Sequence, residues 1–264
     1  FAHATDKKDS LDPTVNETVV MLPVVSNGIT LTLQTTVFKP AGGGPFPVVI
    51  MNHGKNLGKT SQHQRRRYLA MSREFVKRGY AVVIPMRKGF AQSDGDYVDL
   101  GCNMVDNGQW QADDIEAVIN SLPLIPFIDR QRIVVAGESY GGLAALAIGT
   151  RQIEGVKGII NFSGGLRLED GYCDWKESLI TATASYGAQT KIPSIWFYGE
   201  NDSLFDQALA DRMHESYEIA GGASKFIAFG KFKHDAHDMI SSHNGLNYWL
   251  APTEQFLSTL SLPS

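Results

Sequence analysis

The segment Gly137-Glu138-Ser139-Tyr140-Gly141 constrains this chain more than any other, because it fits the pattern Gly-x-Ser-x-Gly. The β-branched run that ends at Ala136 indicates a buried strand, and the segment from Gly142 to Ile148 indicates a helix. A serine on a sharp strand-to-helix turn projects its hydroxyl beyond the strand end, and flanking glycines let the two backbones approach. The flanks therefore favour a nucleophile elbow at Ser139 over an ordinary glycine-rich turn.

Short apolar runs alternate with helical patterns along the rest of the chain. The predicted strands are Thr18–Leu22, Ile29–Phe38, Val48–Asn52, Ala81–Ile84, Ile133–Ala136, Gly158–Phe162, Ser194–Tyr198 and Lys225–Phe229. The predicted helices are Gln64–Arg78, Gly108–Asn120, Gly141–Thr150, Asp206–Ala220 and Thr253–Leu260. This alternation predicts an α/β fold with a mostly parallel sheet of about eight strands and helices on both faces. The first two strands should form an antiparallel hairpin around Ser26-Asn27-Gly28.

Length and composition agree with one domain over residues 1–264. A chain of 264 residues that is 43% hydrophobic can bury a large core, and no segment approaches the apolar length of a membrane span. We expect an extended or disordered N-terminus over residues 1–14. Phe1 to Thr5 could be the trimmed end of a signal peptide or a cloning remnant.

Two segments, 90–107 and 163–191, exceed ordinary connection lengths and are predicted as pocket-wall or lid loops, with 163–191 as the cap. Each carries one of the two cysteines, Cys102 and Cys173. A disulfide between them would fasten the lid and would suit an exported protein, periplasmic or secreted. The alternative is two reduced thiols in a cytoplasmic protein.

Several other functions find little support in the sequence. The net charge is −4, and the basic run Arg65-Arg66-Arg67 is predicted as a solvated helix face, so we expect no nucleic-acid partner. No Gly-x-Gly-x-x-Gly follows a strand, and no carboxylate or cysteine cluster completes a metal site around the histidines. We therefore expect no cofactor and no metal.

A serine nucleophile needs a histidine base, and the histidine needs an acid to fix its tautomer. In elbow-type hydrolases the order is serine, acid, histidine, each on a loop after a strand. The loop after Tyr198 offers Asp202, which competes with Glu200, Asp206 and Asp235. The loop after Phe229 offers His234 and His237, and spacing alone does not separate them.

From about Pro47 to the C-terminus the chain resembles an α/β-hydrolase of the dienelactone hydrolase type, which borders on the prolyl-oligopeptidase-like serine hydrolases. The markers are Val49-Ile50-Met51-Asn52-His53-Gly54, Pro85 to Ser93, Val135 to Gly142, Asn161-Phe162-Ser163-Gly164-Gly165, Trp196 to Asp202, and Lys233-His234-Asp235-Ala236-His237-Asp238. The family's Tyr-Gly-x-x-Asp segment implies Asp202 as the acid. Its Asp-Gly-His segment implies His237 as the base, although Ala236 replaces the glycine and keeps His234 as a minor candidate.

The resemblance also implies the groups around the nucleophile. The backbone N–H of Tyr140 and that of Lys55, in His53-Gly54-Lys55, should form the oxyanion hole. Glu138 should lie below the elbow, where a buried carboxylate needs a partner, and we expect that partner to be Arg87.

The expected function is hydrolysis of carboxylic esters of small molecules through an acyl-enzyme on Ser139. One alternative is a peptidase or amidase of the oligopeptidase-like type. Another, of a different class, is a binding protein without catalysis on a hydrolase fold. The sequence leaves open whether the chain is a monomer or a dimer and which ester it takes.

Overall fold

The computed structural model describes residues 10–264, and within them one mixed sheet contains eight strands. The strands are β1 (Thr18–Ser26), β2 (Ile29–Phe38), β3 (Phe46–Asn52), β4 (Ala81–Pro85), β5 (Ile128–Glu138), β6 (Val156–Phe162), β7 (Ser194–Tyr198) and β8 (Ser224–Ala228). Their spatial order is β1-β2-β4-β3-β5-β6-β7-β8. Each strand overlaps a predicted one, so the predicted α/β fold is confirmed.

The N-terminal hairpin follows from its turn residues. Asn27 and Gly28 both have positive φ, 52° and 75°, and Ser26 pairs with Ile29 across the turn. Two positive torsions suit the tight turns that match the twist of antiparallel strands. β2 also runs antiparallel to β4. The six strands from β3 to β8 all run parallel to one another. The carboxyl ends of β3, β5, β7 and β8 therefore share one edge of the sheet.

Six α-helices cover the two faces of the sheet in the described part of the chain. They are α1 (Leu69–Lys77), α2 (Met104–Ser121), α3 (Tyr140–Ile148), α4 (Trp175–Gln189), α5 (Gln207–Ile219) and α6 (Leu246–Thr259). Alternate residues of the central strands point to opposite faces, so that Ile50 and Val135 join the core under α2 to α5, while Val49 and Val134 join the core under α1 and α6. None of these helices is long and apolar enough to cross a membrane.

Helix α4 corrects the prediction of a cap loop over residues 163–191. Its sequence is rich in threonine, serine and alanine, which gives a weak helical pattern. Two features hold it as a helix: Asp174 accepts a hydrogen bond from the N–H of Glu177, and Gly187 lies so close to α5 that an added Cβ would be 2.2 Å from the Tyr217 carbonyl oxygen. Small residues thus allow close helix packing, and within the predicted cap only 163–174 and 190–191 lie outside the helix.

The basic run was also predicted wrongly, because it precedes α1 instead of forming its exposed face. Arg65 is buried, and its guanidinium lies 2.8 Å from Glu17; Arg67 Nε donates to the same carboxylate at 2.6 Å. Arg65 and Arg67 therefore have a structural role, since they bind Glu17 at the start of β1.

At the N-terminus, residues 1–9, including the possible signal-peptide remnant, lie outside the described residues. Pro13 and Thr14 belong to a short 3-10 helix (Pro13–Val15), contrary to the prediction of an extended or disordered segment over 1–14, whereas the Asp12 backbone is extended. Asp12 accepts from the N–H of Thr14 and pairs with Arg73 at 2.6 Å.

The structure contains the predicted disulfide. Cys102 and Cys173 are bonded, with Cα atoms 6.4 Å apart, and the bond spans a sequence separation of 71. It joins the loop before α2 to the loop before α4. The two long segments at the carboxyl edge of the sheet are therefore held together covalently.

We expect the double variant C102S/C173S to lose about 2–4 kcal/mol of unfolding free energy, because the bond restricts a long loop in the unfolded chain. Urea titration measures this loss. Fully reduced wild type is the matched control and should give the same loss, since the chain has no other cysteine. A loss below about 0.5 kcal/mol in both samples would contradict a stabilising role.

Candidate active site

Ser139 lies between the last residue of β5 and the first residue of α3. Its torsions are φ 53° and ψ −122°, a strained combination for a residue with a side chain. Backbone bonds hold it there: its N–H donates to the Phe162 carbonyl at 3.0 Å, and its carbonyl accepts from Gly142 and Gly165 at 2.8 and 2.9 Å. The predicted elbow geometry is therefore present.

The two glycines of the motif make the bend possible. A Cβ on Gly137 would lie 2.0 Å from the Gly141 carbonyl oxygen, and a Cβ on Gly141 would lie 2.1 Å from the Asn52 carbonyl oxygen. Neither position can hold a side chain without moving backbone. Helix α3 thus begins in direct contact with the end of β3.

Asp202 lies in the loop after β7, with its side chain fully buried. Its Oδ1 accepts from the N–H groups of Leu204 and Phe205 at 2.9 and 3.0 Å. Its Oδ2 lies 3.0 Å from Nδ1 of His237. The remaining acidic candidates lie elsewhere: Glu200 is exposed, and Asp206 caps α5.

The structure separates the two histidines. His237 follows β8 and contacts Asp202, whereas His234 is exposed on the preceding turn. Ala236, in place of the family's glycine, is accommodated opposite Gly199, where an added Cβ would lie 2.3 Å from the Ala236 Cβ. The departure at Ala236 therefore does not displace His237.

Asp235 has a function that the sequence analysis missed. Its Oδ1 accepts from the N–H of His237 at 2.9 Å and from the N–H of Ser203 at 3.1 Å, and its Oδ2 accepts from the Ser203 hydroxyl. One carboxylate thus ties the loop of the acid to the loop of the histidine. The spacing Asp-x-His is typical of an Asx-turn and was the available signal.

The structure brings together Asp202 and His237, and it places Ser139 at the same sheet edge. Among residues 10–264 the Ser139 hydroxyl makes no hydrogen bond. Phe205 lies between the pair of Asp202 and His237 and the loop that holds Ser139. Its ring centroid is 5.6 Å from that of His237, and the same ring packs on Gly165. The N–H of Gly165 donates to the Ser139 carbonyl.

Electrostatics favour a charged His237. Burial opposes the imidazolium, but the hydrogen bond and negative charge of Asp202 outweigh it and raise the pKa of His237. The nearby charge of Glu138, beside Ser139, acts in the same direction.

The loop after β3 lies directly against Ser139, since a Cβ on Gly54 would be 3.0 Å from the serine Cβ. His53 fixes this loop from within the core. Its Nε2 accepts from the Arg87 N–H at 3.1 Å, so its Nδ1 carries the proton and donates to the Gly54 carbonyl at 2.8 Å. Burial, followed by the charge of Arg87, lowers the pKa of His53 well below its usual range, which keeps the ring neutral.

Tyr140 directly follows Ser139, and Lys55 directly follows Gly54, the residue that lies against the Ser139 side chain. Among the residues that the structure describes, the backbone N–H of neither Tyr140 nor Lys55 donates a hydrogen bond.

The expected pair of Glu138 and Arg87 was wrong. The Glu138 carboxylate accepts a short hydrogen bond from the Tyr68 hydroxyl, and burial, with the Glu138 charge, raises the pKa of Tyr68. Arg87 instead donates to the Gln111 amide oxygen at 2.5 Å and to the His53 carbonyl at 2.7 Å. A phenol replaces the guanidinium as the partner of the buried carboxylate.

Comparison with known structures shows the fold. An esterase of Pyrococcus furiosus is 15% identical, with a TM-score of 0.68 over 96% of this chain and 95% of that one. An acylaminoacyl peptidase of Pyrococcus horikoshii is 18% identical, with a TM-score of 0.65 over 92% of this chain and 41% of that one. A protein of Klebsiella pneumoniae assigned as a dienelactone hydrolase is 14% identical, with a TM-score of 0.60 over 93% and 98%.

Sequence comparison identifies the family. An uncharacterised protein of Caenorhabditis elegans is 24% identical over 128 residues, which cover 48% of this chain and 73% of that protein. The model of the X-Pro dipeptidyl-peptidase (S15) family matches residues 28–219, a range that includes Ser139 and Asp202 and ends before His237. The chain therefore belongs to the X-Pro dipeptidyl-peptidase (S15) family of serine hydrolases and has an α/β-hydrolase fold.

Proposed function

We propose that this protein hydrolyses carboxylic esters through an acyl-enzyme on Ser139, with His237 as the base and Asp202 as its acidic partner. The observation that carries the proposal is the buried contact of 3.0 Å between Asp202 and His237 Nδ1. It occurs at the same sheet edge as a serine held in a strained elbow. A serine, an imidazole and a buried carboxylate in this order are the groups that acyl transfer requires.

In the proposed reaction, His237 Nε2 removes the proton from Ser139 as Oγ attacks the ester carbonyl. Nδ1 keeps its proton and donates to Asp202, which stabilises the imidazolium. The imidazolium then protonates the leaving alcohol, and water repeats the sequence on the acyl-enzyme. Hydrogen bonds between catalytic groups are often long in the free enzyme and tighten with substrate, which agrees with the unbonded Ser139 hydroxyl.

The oxyanion is proposed to bind the N–H groups of Tyr140 and Lys55. The peptide between Gly54 and Lys55 is planar, so its N–H points opposite to its carbonyl. Because His53 holds that carbonyl at 2.8 Å, it also fixes the direction of the Lys55 N–H. Oriented donors of this kind are worth about 10² to 10³ in turnover each.

A peptidase activity is the second candidate, because the family is named for X-Pro dipeptidyl-peptidases and one structural relative is an acylaminoacyl peptidase. This chain spans 41% of that relative's length but 95% of the Pyrococcus furiosus esterase.

A panel of p-nitrophenyl esters, X-Pro p-nitroanilides and acylaminoacyl p-nitroanilides tests the proposal. We expect ester turnover to exceed anilide turnover, and Ser139→Ala to lower it by about 10⁴-fold or more with the fold intact. Ser258→Ala, on the exposed surface of α6, is the control and should keep full activity. Faster cleavage of anilides would favour the peptidase, and folded protein without any turnover would favour a binding protein.

The pH profile of kcat/KM tests the pair of Asp202 and His237. Only neutral His237 can accept a proton, so activity should fall with decreasing pH through its raised pKa, above the ordinary value of about 6.5. The substitution Asp202→Asn removes the negative charge that raises the pKa of His237, while the burial that lowers this pKa remains. The acid limb should therefore move to lower pH, and kcat should fall by about 10⁴. An unmoved limb with near-normal activity would contradict the pairing.

The disulfide supports an exported location, because such bonds persist in oxidising compartments. Thiol alkylation of the protein in its native cells should then modify neither Cys102 nor Cys173 before reduction. Alkylation of both would place the protein in a reducing compartment.

A further inference from the structure

Four cationic side chains lie around the loop after β3 without a carboxylate partner in the described part of the chain: Lys55, Lys59, Arg66 and Arg87. Arg66 donates to the Asn56 amide oxygen at 2.9 Å instead of to an acid. Elsewhere most arginines are paired with Asp or Glu, as Arg78 and Arg151 are. Positive charge is therefore concentrated next to the elbow of a protein whose net charge is −4.

Arg87 is the most unusual member of this group because it is fully buried. Its guanidinium lies over the rings of Phe90 and Tyr140, at 5.6 and 5.8 Å, and its Nη1 has no hydrogen-bond partner among residues 10–264. The neighbouring Asp114 carboxylate is occupied by Lys88 at 3.2 Å. The Asp114 charge still attracts Arg87, but no carboxylate forms an ion pair with Arg87 in the described part of the chain, so its guanidinium adds to the local positive potential.

The histidines of this region respond to the same field. After the effect of burial, the charges of Arg66 and Lys55 lower the pKa of His63, and those of Arg87 and Arg66 lower the pKa of His53. Two imidazoles thus stay neutral beside a group of fixed cations.

A cleft of about 430 Å³ opens at this positive region. Its walls combine two cations with hydroxyl groups and one exposed carboxylate, from Lys55, Lys59, Thr60, Ser61, Tyr97 and Asp96. Lys55 Nζ lies 5.3 Å from the centre of the Tyr97 ring. The ammonium groups of the two lysines and the hydroxyls of Thr60 and Ser61 can donate to an anion, whereas the Tyr97 hydroxyl is buried. With Asp96 included, these lining residues still carry an excess of positive charge.

Ser139 is not among the residues that line the cleft, but one wall of the cleft adjoins the residues that surround Ser139. Lys55 directly follows Gly54, the residue packed against the Ser139 side chain. On the other wall, the ring of Tyr97 is 6.3 Å from that of Tyr140, which follows Ser139. The cleft therefore begins at Lys55, one residue beyond the glycine that contacts Ser139.

We propose that this cleft binds a carboxylate group of the substrate, so that the preferred esters are anionic. The inference rests on the proposed ester hydrolysis and specifies its substrate class. Lys59 acts as a specificity-determining residue at the cleft, and the field of the neighbouring cations attracts the anion before it binds.

Paired esters that differ only in charge test this inference. On the acyl side, 4-nitrophenyl hydrogen glutarate is compared with 4-nitrophenyl pentanoate; on the alcohol side, 4-acetoxybenzoate is compared with 4-methylphenyl acetate. We expect kcat/KM to favour the anion in one pair by about tenfold at low salt. The preference should shrink at about 0.5 M salt while the neutral ester is unaffected.

Lys59→Met should lower the preference about fivefold, and Lys59→Glu should abolish it, with the neutral esters unchanged in both. Lys77→Met is the matched control: Lys77 is exposed on α1, without a carboxylate partner among residues 10–264, and its loss should change nothing. The result that would overturn the proposed anion site is an equal kcat/KM for the charged and neutral esters of both pairs, without dependence on salt. Such a result would leave the proposed ester hydrolysis standing.

Equilibrium binding keeps the inference testable if no ester is turned over. Glutarate should bind to Ser139→Ala protein at low salt, bind about tenfold more weakly to Ser139→Ala/Lys59→Glu, and be displaced by salt. Equal binding by the two proteins, or no binding by either, would refute the anion site independently of catalysis.

Discussion

The contact between Gly141 and the end of β3 is the constraint on which the rest of the site depends. The first turn of α3 lies directly on the Asn52 carbonyl, with room for a hydrogen atom and nothing larger. At this approach Ser139 has a positive φ, and Gly54, in the loop after β3, lies against the Ser139 side chain. Backbone packing would thereby position the proposed nucleophile and the proposed oxyanion donors.

The second half of the site depends on carboxylates that organise loops. Asp202 accepts two backbone N–H groups of its own loop and contacts His237, while Asp235 joins Ser203 to the N–H of His237. The loops after β7 and β8 therefore behave as one unit. Their negative charges raise the pKa of His237.

The sequence predicts the features that local patterns encode. All eight strands, the turn at Asn27 and Gly28, and the elbow follow from runs of apolar residues and from glycines at fixed positions. Helix α4 was not predicted because its small residues, which allow close contact with α5, also weaken the apolar periodicity by which a helix is recognised in a sequence. The hydrogen bond between Glu138 and Tyr68 was not predicted because Tyr68 lies 70 residues away in sequence and has a backbone φ of 42°. Contacts of this kind depend on the completed fold, whereas Asp202 and His237 are proposed from the order of the elements and from the family's motifs.

The crystal structure of a serine-directed phosphonate adduct tests the central proposal most directly. The account predicts phosphorus bonded to Ser139 Oγ, the phosphoryl oxygen about 2.7–3.1 Å from the N–H nitrogens of Tyr140 and Lys55, and His237 Nε2 directed at the ester oxygen. A phosphonate bonded to another residue would contradict it. So would an adduct on Ser139 whose phosphoryl oxygen points away from both N–H groups.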